Sequence, residues 1–225
     1  LVPEAGRPES VSVRREFAAF KNVQVWLAMA MTVLGYGGVF AAITYITPMM
    51  TEVAGYTESA VTWLLVLFGI GMFLGNLLGG KFADRALMPM LFTALAALTA
   101  ALLLFTATAH DKVLAAITLS LIGALGFATV PPLQKWVLDQ ASAAPTLASA
   151  ANIGAFNLGN ALAAWLGGVV IAAGLGFTAP NWVGSILSGT ALLLAFLAAR
   201  LDRRTRKASH VVTGSMTTEP APTTV

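Results

Sequence analysis

Six runs of about twenty apolar residues, separated by short polar breaks, fill most of the chain and decide the solvent in which it folds. An α-helix rises ~1.5 Å per residue and the hydrocarbon core of a bilayer is ~30 Å thick, so roughly twenty residues make one crossing. The runs predict crossings at Val25–Thr47, Ala60–Gly80, Met88–Thr108, Val113–Leu133, Thr146–Leu166 and Trp182–Leu201. No Asp, Glu, Lys, Arg or His lies well inside any of them. A soluble bundle carries charges at helical spacing on its outward faces. The fold expected is therefore all-α, a polytopic membrane bundle of six transmembrane helices.

The charges sit in the connections. Arg7, Arg14, Arg15 and Lys21 precede the first crossing, Lys81 and Arg85 follow the second, Lys135 follows the fourth, and Arg200, Arg203, Arg204, Arg206 and Lys207 follow the sixth. The alternate connections hold Lys112 beside Glu52, Glu58 and Asp111. Twelve of the 13 basic residues on one side is the positive-inside pattern, which puts both termini in the cytoplasm of a multi-pass cell-membrane protein. The net charge of +3 thus reads as topology, and no nucleic-acid partner is expected. Trp26, Trp63, Trp136 and Trp182 fall near helix ends, at headgroup level, while Trp165 does not. With no cysteine there is no disulfide framework or thiolate site. The chain opens on Leu1 with no signal-peptide core, and is expected to belong to a longer product.

Residues 1–24 read as a cytoplasmic linker with a short interfacial helix presenting Val13, Phe17 and Phe20 to the membrane surface. Residues 25–201 form the six-helix domain, and residues 202–225 a disordered tail poor in apolar groups. A shift of 88 positions superposes the first three helices on the last three. Phe68, Gly71, Leu74, Leu78, Gly79 and Gly80 fall on Phe156, Gly159, Leu162, Leu166, Gly167 and Gly168, and Gly35 and Gly38 on Gly123 and Gly126. The two units, about 25–108 and 113–201, each hold an odd number of helices and so cross in opposite senses. Inverted repeats of this kind recur in secondary transporters, whose units rock about a shared site.

Small residues recur every fourth position as Gly71, Gly75 and Gly79, and as Ala155, Gly159, Ala163 and Gly167. Such stripes let helix backbones approach where lipid gives no hydrophobic drive for association, and the bland reading is tight packing. Gly35, Gly37 and Gly38, with Pro48, interrupt the first helix. Gly123 and Gly126, with Pro131 and Pro132, interrupt the fourth; these are kinks, either static or bending in a cycle. Gly35-Tyr36-Gly37 looks like a potassium-filter core but lies within one full crossing without a pore helix. His110 and His210 lie in a loop and the tail, and no nucleophile–base pair is evident, so neither an enzyme nor a metal or cofactor site is expected.

Polar groups remain inside: Asn76, Thr129, Asn152, Asn157 and Asn160, with Tyr36, Thr44 and Tyr45. They serve either as interhelical glue or as the walls of a cavity alongside Phe40 and Phe156. The third and sixth helices are almost wholly aliphatic and suit outer positions, leaving the first, second, fourth and fifth as walls. The candidate cavity residues are Tyr36, Phe40, Thr129, Asn157 and Asn160.

The run Gly75-Asn76-Leu77-Leu78-Gly79-Gly80-Lys81-Phe82-Ala83-Asp84-Arg85 resembles the loop motif of the major facilitator superfamily. Asn152-Ile153-Gly154-Ala155-Phe156-Asn157-Leu158-Gly159-Asn160, with Gly35-Tyr36-Gly37-Gly38 and Tyr45-Ile46-Thr47-Pro48, resembles its drug–proton antiporter branch, near the arabinose-efflux and chloramphenicol-efflux permeases. The resemblance runs from about residue 14 to 201. It implies the carboxy-terminal half of a twelve-helix carrier that exports small drug-like or sugar-like molecules by alternating access. It also implies that Asp84 and Arg85 brace the cytoplasmic face, with Gly75, Gly79 and Gly80 allowing close approach. After Arg85 the sequence departs from the motif, with Ala86-Leu87-Met88-Pro89 in place of a glycine and a basic pair. No crossing holds a carboxylate that could carry a proton, so either protons act through the other, amino-terminal half or the protein does not couple to protons. The rival reading is a six-helix channel or scaffold module that associates with itself.

Overall fold

The computed structural model describes residues 20–216, with side chains to Asp202. The expected interfacial helix, with Val13 and Phe17, lies outside the described residues. Asn22 caps α1 (Val23–Ile43) by accepting from the Gln24 amide at 3.0 Å. The helix stops short of the expected Thr47. Pro48 has no N–H for the Thr44 carbonyl, and the chain breaks at Tyr45 before a short turn (Ile46–Pro48) and a π-helical turn (Met49–Val53). Gly55, at φ 72°, reverses the chain. Thr57 then caps α2 (Glu58–Arg85), and Ala86 alone separates it from α3 (Leu87–Thr108).

Asp111 caps α4 (Lys112–Ala128) by accepting from the Leu114 amide at 2.9 Å. Pro131 and Pro132 deprive the Phe127 and Ala128 carbonyls of donors, so the helix breaks at Thr129 and resumes as α5 (Val130–Gln140). Together α4 and α5 make the fourth span. The fifth and sixth spans are α6 (Pro145–Ala172) and α7 (Ala179–Met216). The tail expected to be disordered from residue 202 is helical to Met216. An established helix adds residues without a new nucleus, and Arg, Lys and Ala propagate it well.

Among the described residues six helices are long and apolar enough to cross a membrane, and there is no strand. Their packing repeats under the 88-residue shift: α2 lies along α4 and α6 along α1, while α1 packs on α7 and α4 on α3. The glycine ladders form the seams. Gly71, Gly75 and Gly79 face the backbone of Ser120, Ala124 and Ala128, and Gly159 faces that of Val33 and Gly37. One hydrophobic cluster gathers Met49, Met50, Leu98, Phe105 and Ile122; a second gathers Met31, Leu91, Leu95, Leu133 and Trp136 at the end bearing the basic connections. Trp136, expected at headgroup level, is 5% exposed and inside that cluster.

The aliphatic helices α3 and α7 pack on one another, joined by a Thr99–Ser188 hydroxyl contact of 3.0 Å and Phe92 stacked on Phe196 at 4.5 Å. Their free faces carry Leu103, Leu104, Leu193 and Leu197. The least buried spans are α2 and α6. Their outward faces, with Ile70, Phe73 and Leu77 on one and Ile153, Leu158 and Trp165 on the other, are apolar and uncovered.

Candidate functional site

An aromatic basin forms where α1, α4 and α6 converge. Glycines set it up: the Gly37 backbone lies against that of Gly159, and each leaves no room for a Cβ. That close approach brings neighbouring rings together. Tyr36 meets Phe156 edge-to-face at 4.8 Å and Phe127 edge-to-face at 5.6 Å, and lies 5.2 Å from Phe40 on its own helix with the two rings tilted by 44°. Edge-to-face pairs at these separations are favourable beyond their buried area, which holds the basin in shape. Tyr36 is half-buried, and its hydroxyl has no hydrogen-bond partner among the described residues.

The amides flank the rings on α6. Asn160 stands one turn beyond Phe156 on the same helix face, with its Oδ1 buried and unpartnered. Such a carbonyl is costly to leave without a donor, and the side-chain carbonyls of Asn152 and Asn181 are buried without one in the same way. Asn157 is exposed, and its amide donates to the Ile153 carbonyl at 3.0 Å. Phe127 carries the basin into a groove of about 350 Å³ between α2 and α4, lined also by Met72, Phe73 and Asn76. The four helices expected as cavity walls thus all reach this region.

Thr129 does not join it. Its side chain is fully buried and its hydroxyl donates at 2.6 Å to the Gly126 carbonyl, so it serves the helix break. The ring that the fourth span contributes is Phe127, which sequence reasoning passed over. Its aromatic character beside the Gly126–Pro131 break was the available signal. Asn152 is glue: its amide donates to Gln134 Oε1 at 2.6 Å, and Gln134 Nε2 donates to Ser149 at 3.0 Å, tying α5 to α6. Tyr45 wedges its ring against Gly167 and Gly168 and donates to the Ala164 carbonyl at 2.7 Å, pinning the irregular end of α1 to α6.

The loop-motif residues divide by role. Gly75 and Gly79 are buried in the α2–α4 seam, whereas a Cβ on Gly80 would come no nearer than 3.9 Å to Pro131, an ordinary contact. Lys135 on α5 donates at 2.8 Å to Asp84 at the end of α2, an ion pair in the open with the carboxylate 77% exposed. Arg85 has no partner among the described residues and turns to a different groove, between α2, α3 and α4. No group of three His, Cys, Asp or Glu comes together among the described residues.

The family model described as Major Facilitator Superfamily matches residues 2–155. The inner membrane transport protein YdhP of Escherichia coli O157:H7 is 45% identical over 91% of this chain and 52% of its own. The chloramphenicol resistance protein of Streptomyces lividans is 33% identical over 82% of this chain and 47% of its own. The purine ribonucleoside efflux pump NepI of Escherichia coli (strain K12) is 28% identical over 85% and 47% respectively. The chain spans about half the length of these curated relatives.

Proposed function

Because this chain belongs to the major facilitator superfamily and is a multi-pass membrane protein, we propose that it forms the carboxy-terminal half of a secondary carrier. The carrier exports small drug-like or sugar-like compounds by alternating access, linked to protons, with both ends of this half in the cytoplasm. The observation that carries this reading is the Tyr36–Phe127–Phe156 basin, with the unpartnered Asn160 carbonyl one turn beyond Phe156 on α6. Rings present apolar area, and a lone acceptor orients a ligand through one donated hydrogen bond, the usual make-up of a small-molecule site. Four rings with few polar groups suit a flat, drug-like molecule better than a sugar. The uncovered faces of α2 and α6 are where a partner half would seat. Since the six crossings hold no ionisable carboxylate, the proton travels on the other half.

Transport by the full-length protein in vesicles, read as proton flux on addition of candidate compounds, tests the reading. Compound-driven flux is expected, and an ion current without coupling favours the self-associating channel instead. Asn160→Ala and Asn157→Ala separate the amides. The first loses a free acceptor and raises the apparent KM several-fold. The second, already bonded to its own helix, changes transport less; equal transport by Asn160→Ala and wild type would demote Asn160 to helix glue.

The Asp84–Lys135 pair joins the ends of α2 and α5 on the side that carries the basic loops. Exposed pairs contribute little to stability, so its value lies in the cycle. Asp84→Asn and Lys135→Gln should each leave the thermal midpoint little changed and slow transport alike. Wild-type rates in both variants would remove the brace assignment.

A further inference from the structure

The groove at the α2–α3 turn differs in kind from the basin. It measures about 480 Å³ and is lined by apolar side chains including Leu78, Phe82, Met90 and Leu125, with Arg85 the one charged residue among those lining it. Thr93, its other polar side chain, donates to the Pro89 carbonyl at 2.8 Å and has its hydrogen committed. The groove runs along α2 from Gly75 to Arg85. Those ten residues rise ~15 Å, from within the expected crossing to beyond its basic-side end at Gly80. The neighbouring carboxylate, Asp84, is engaged by Lys135, so the Arg85 guanidinium has no partner among the described residues.

We propose that this groove binds an anionic phospholipid of the basic-side leaflet, one acyl chain lying along α2 and α4 and the headgroup phosphate on Arg85. Guanidinium forks match phosphate geometry, and basic pockets between spanning helices on the cytoplasmic side are suited to anionic headgroups. A drug-like ligand would not need an apolar furrow ~15 Å long that ends at a cation. The site does not depend on which compound the carrier moves.

Native mass spectrometry of the full-length protein, purified with phosphatidylglycerol or phosphatidylcholine, reads the outcome. Wild type should retain phosphatidylglycerol in preference. Arg85→Gln should lower that retention about fivefold, the scale of one basic residue at a membrane surface, and leave phosphatidylcholine unchanged. Thr93→Trp, which fills the groove without removing the charge, should also displace the lipid, whereas Lys81→Gln, outside the groove, should not. Equal retention by wild type and Arg85→Gln would overturn the proposal. So would competition by acyl-free glycerol phosphate, which would make this a plain anion site, or displacement by transported compounds, which would make it a substrate vestibule.

Discussion

Gly75→Val should leave almost no folded protein to purify. An added Cβ at Gly75 meets the carbonyl oxygen of Ala124, and it stands 2.6 Å from that carbonyl carbon and 2.8 Å from the Cα. These are backbone atoms inside α4, which cannot rotate aside as a side chain can. The seam must therefore open along its length, and Gly71 and Gly79, also packed against the backbone of Ser120 and Ala128, open with it. Overpacking typically costs about 1–3 kcal/mol where side chains give way; the expected loss here lies at or above the upper end. Gly69, with nothing within 4 Å of an added Cβ, lies on the same helix and supplies the control. Fluorescence-detected size-exclusion with a thermal ramp should show Gly69→Val near wild type, its modest helix gain included, and Gly75→Val aggregated. A monodisperse Gly75→Val protein with an unchanged midpoint would mean that α2 and α4 are not in register as described.

The second large effect falls on transport. Phe156→Ala removes the ring that meets Tyr36 at 4.8 Å and opens the basin between α1 and α6. Phe156 is half-buried, so its area contributes about half of the ~1.5–3 kcal/mol of a fully buried ring, and the aromatic pair about 0.5–1.5 kcal/mol more. Transport efficiency should therefore fall by one to two orders of magnitude at equal membrane level. Tyr36→Phe keeps the rings in contact and deletes the free hydroxyl, so its loss should appear in KM with the maximal rate preserved. Thr129→Val, in the packed interior with its hydroxyl bonded to its own helix, should behave like wild type. If Phe156→Ala transports normally while Thr129→Val does not, the fourth helix is rotated relative to this description and the basin is not the site.

Much of the fold was legible from single residues. Spans announced themselves because a chain in hydrocarbon must satisfy its backbone within helices and exclude charge, which leaves long apolar runs. The stripes Gly71, Gly75, Gly79 and Ala155, Gly159, Ala163, Gly167 marked the seams, and all seven residues are buried. Prolines 48, 131 and 132 marked the breaks because the missing N–H is a local fact. The site was harder to read. A helix that is apolar all round carries little record of its rotation, so Thr129, Phe127 and Asn152 could each have faced the cavity, and the structure turns Phe127 to it.

The amino-acid sequence by itself determined the solvent, the six spans, the doubled three-helix plan and the glycine seams, since each follows from short-range chemistry: hydropathy, helical period, and the absence of a Cβ or an N–H. Only the tertiary structure decided which polar groups are spent within the bundle and which are left over. Asn152 finds Gln134, Asp84 finds Lys135 and Tyr45 finds Ala164 across long stretches of chain. The side-chain carbonyls of Asn160, Asn152 and Asn181 and the Arg85 guanidinium find no partner among the described residues. Pairing across helices depends on their relative rotation and depth, which backbone contacts at glycines such as Gly37 and Gly159 set, and which no local pattern of residues encodes.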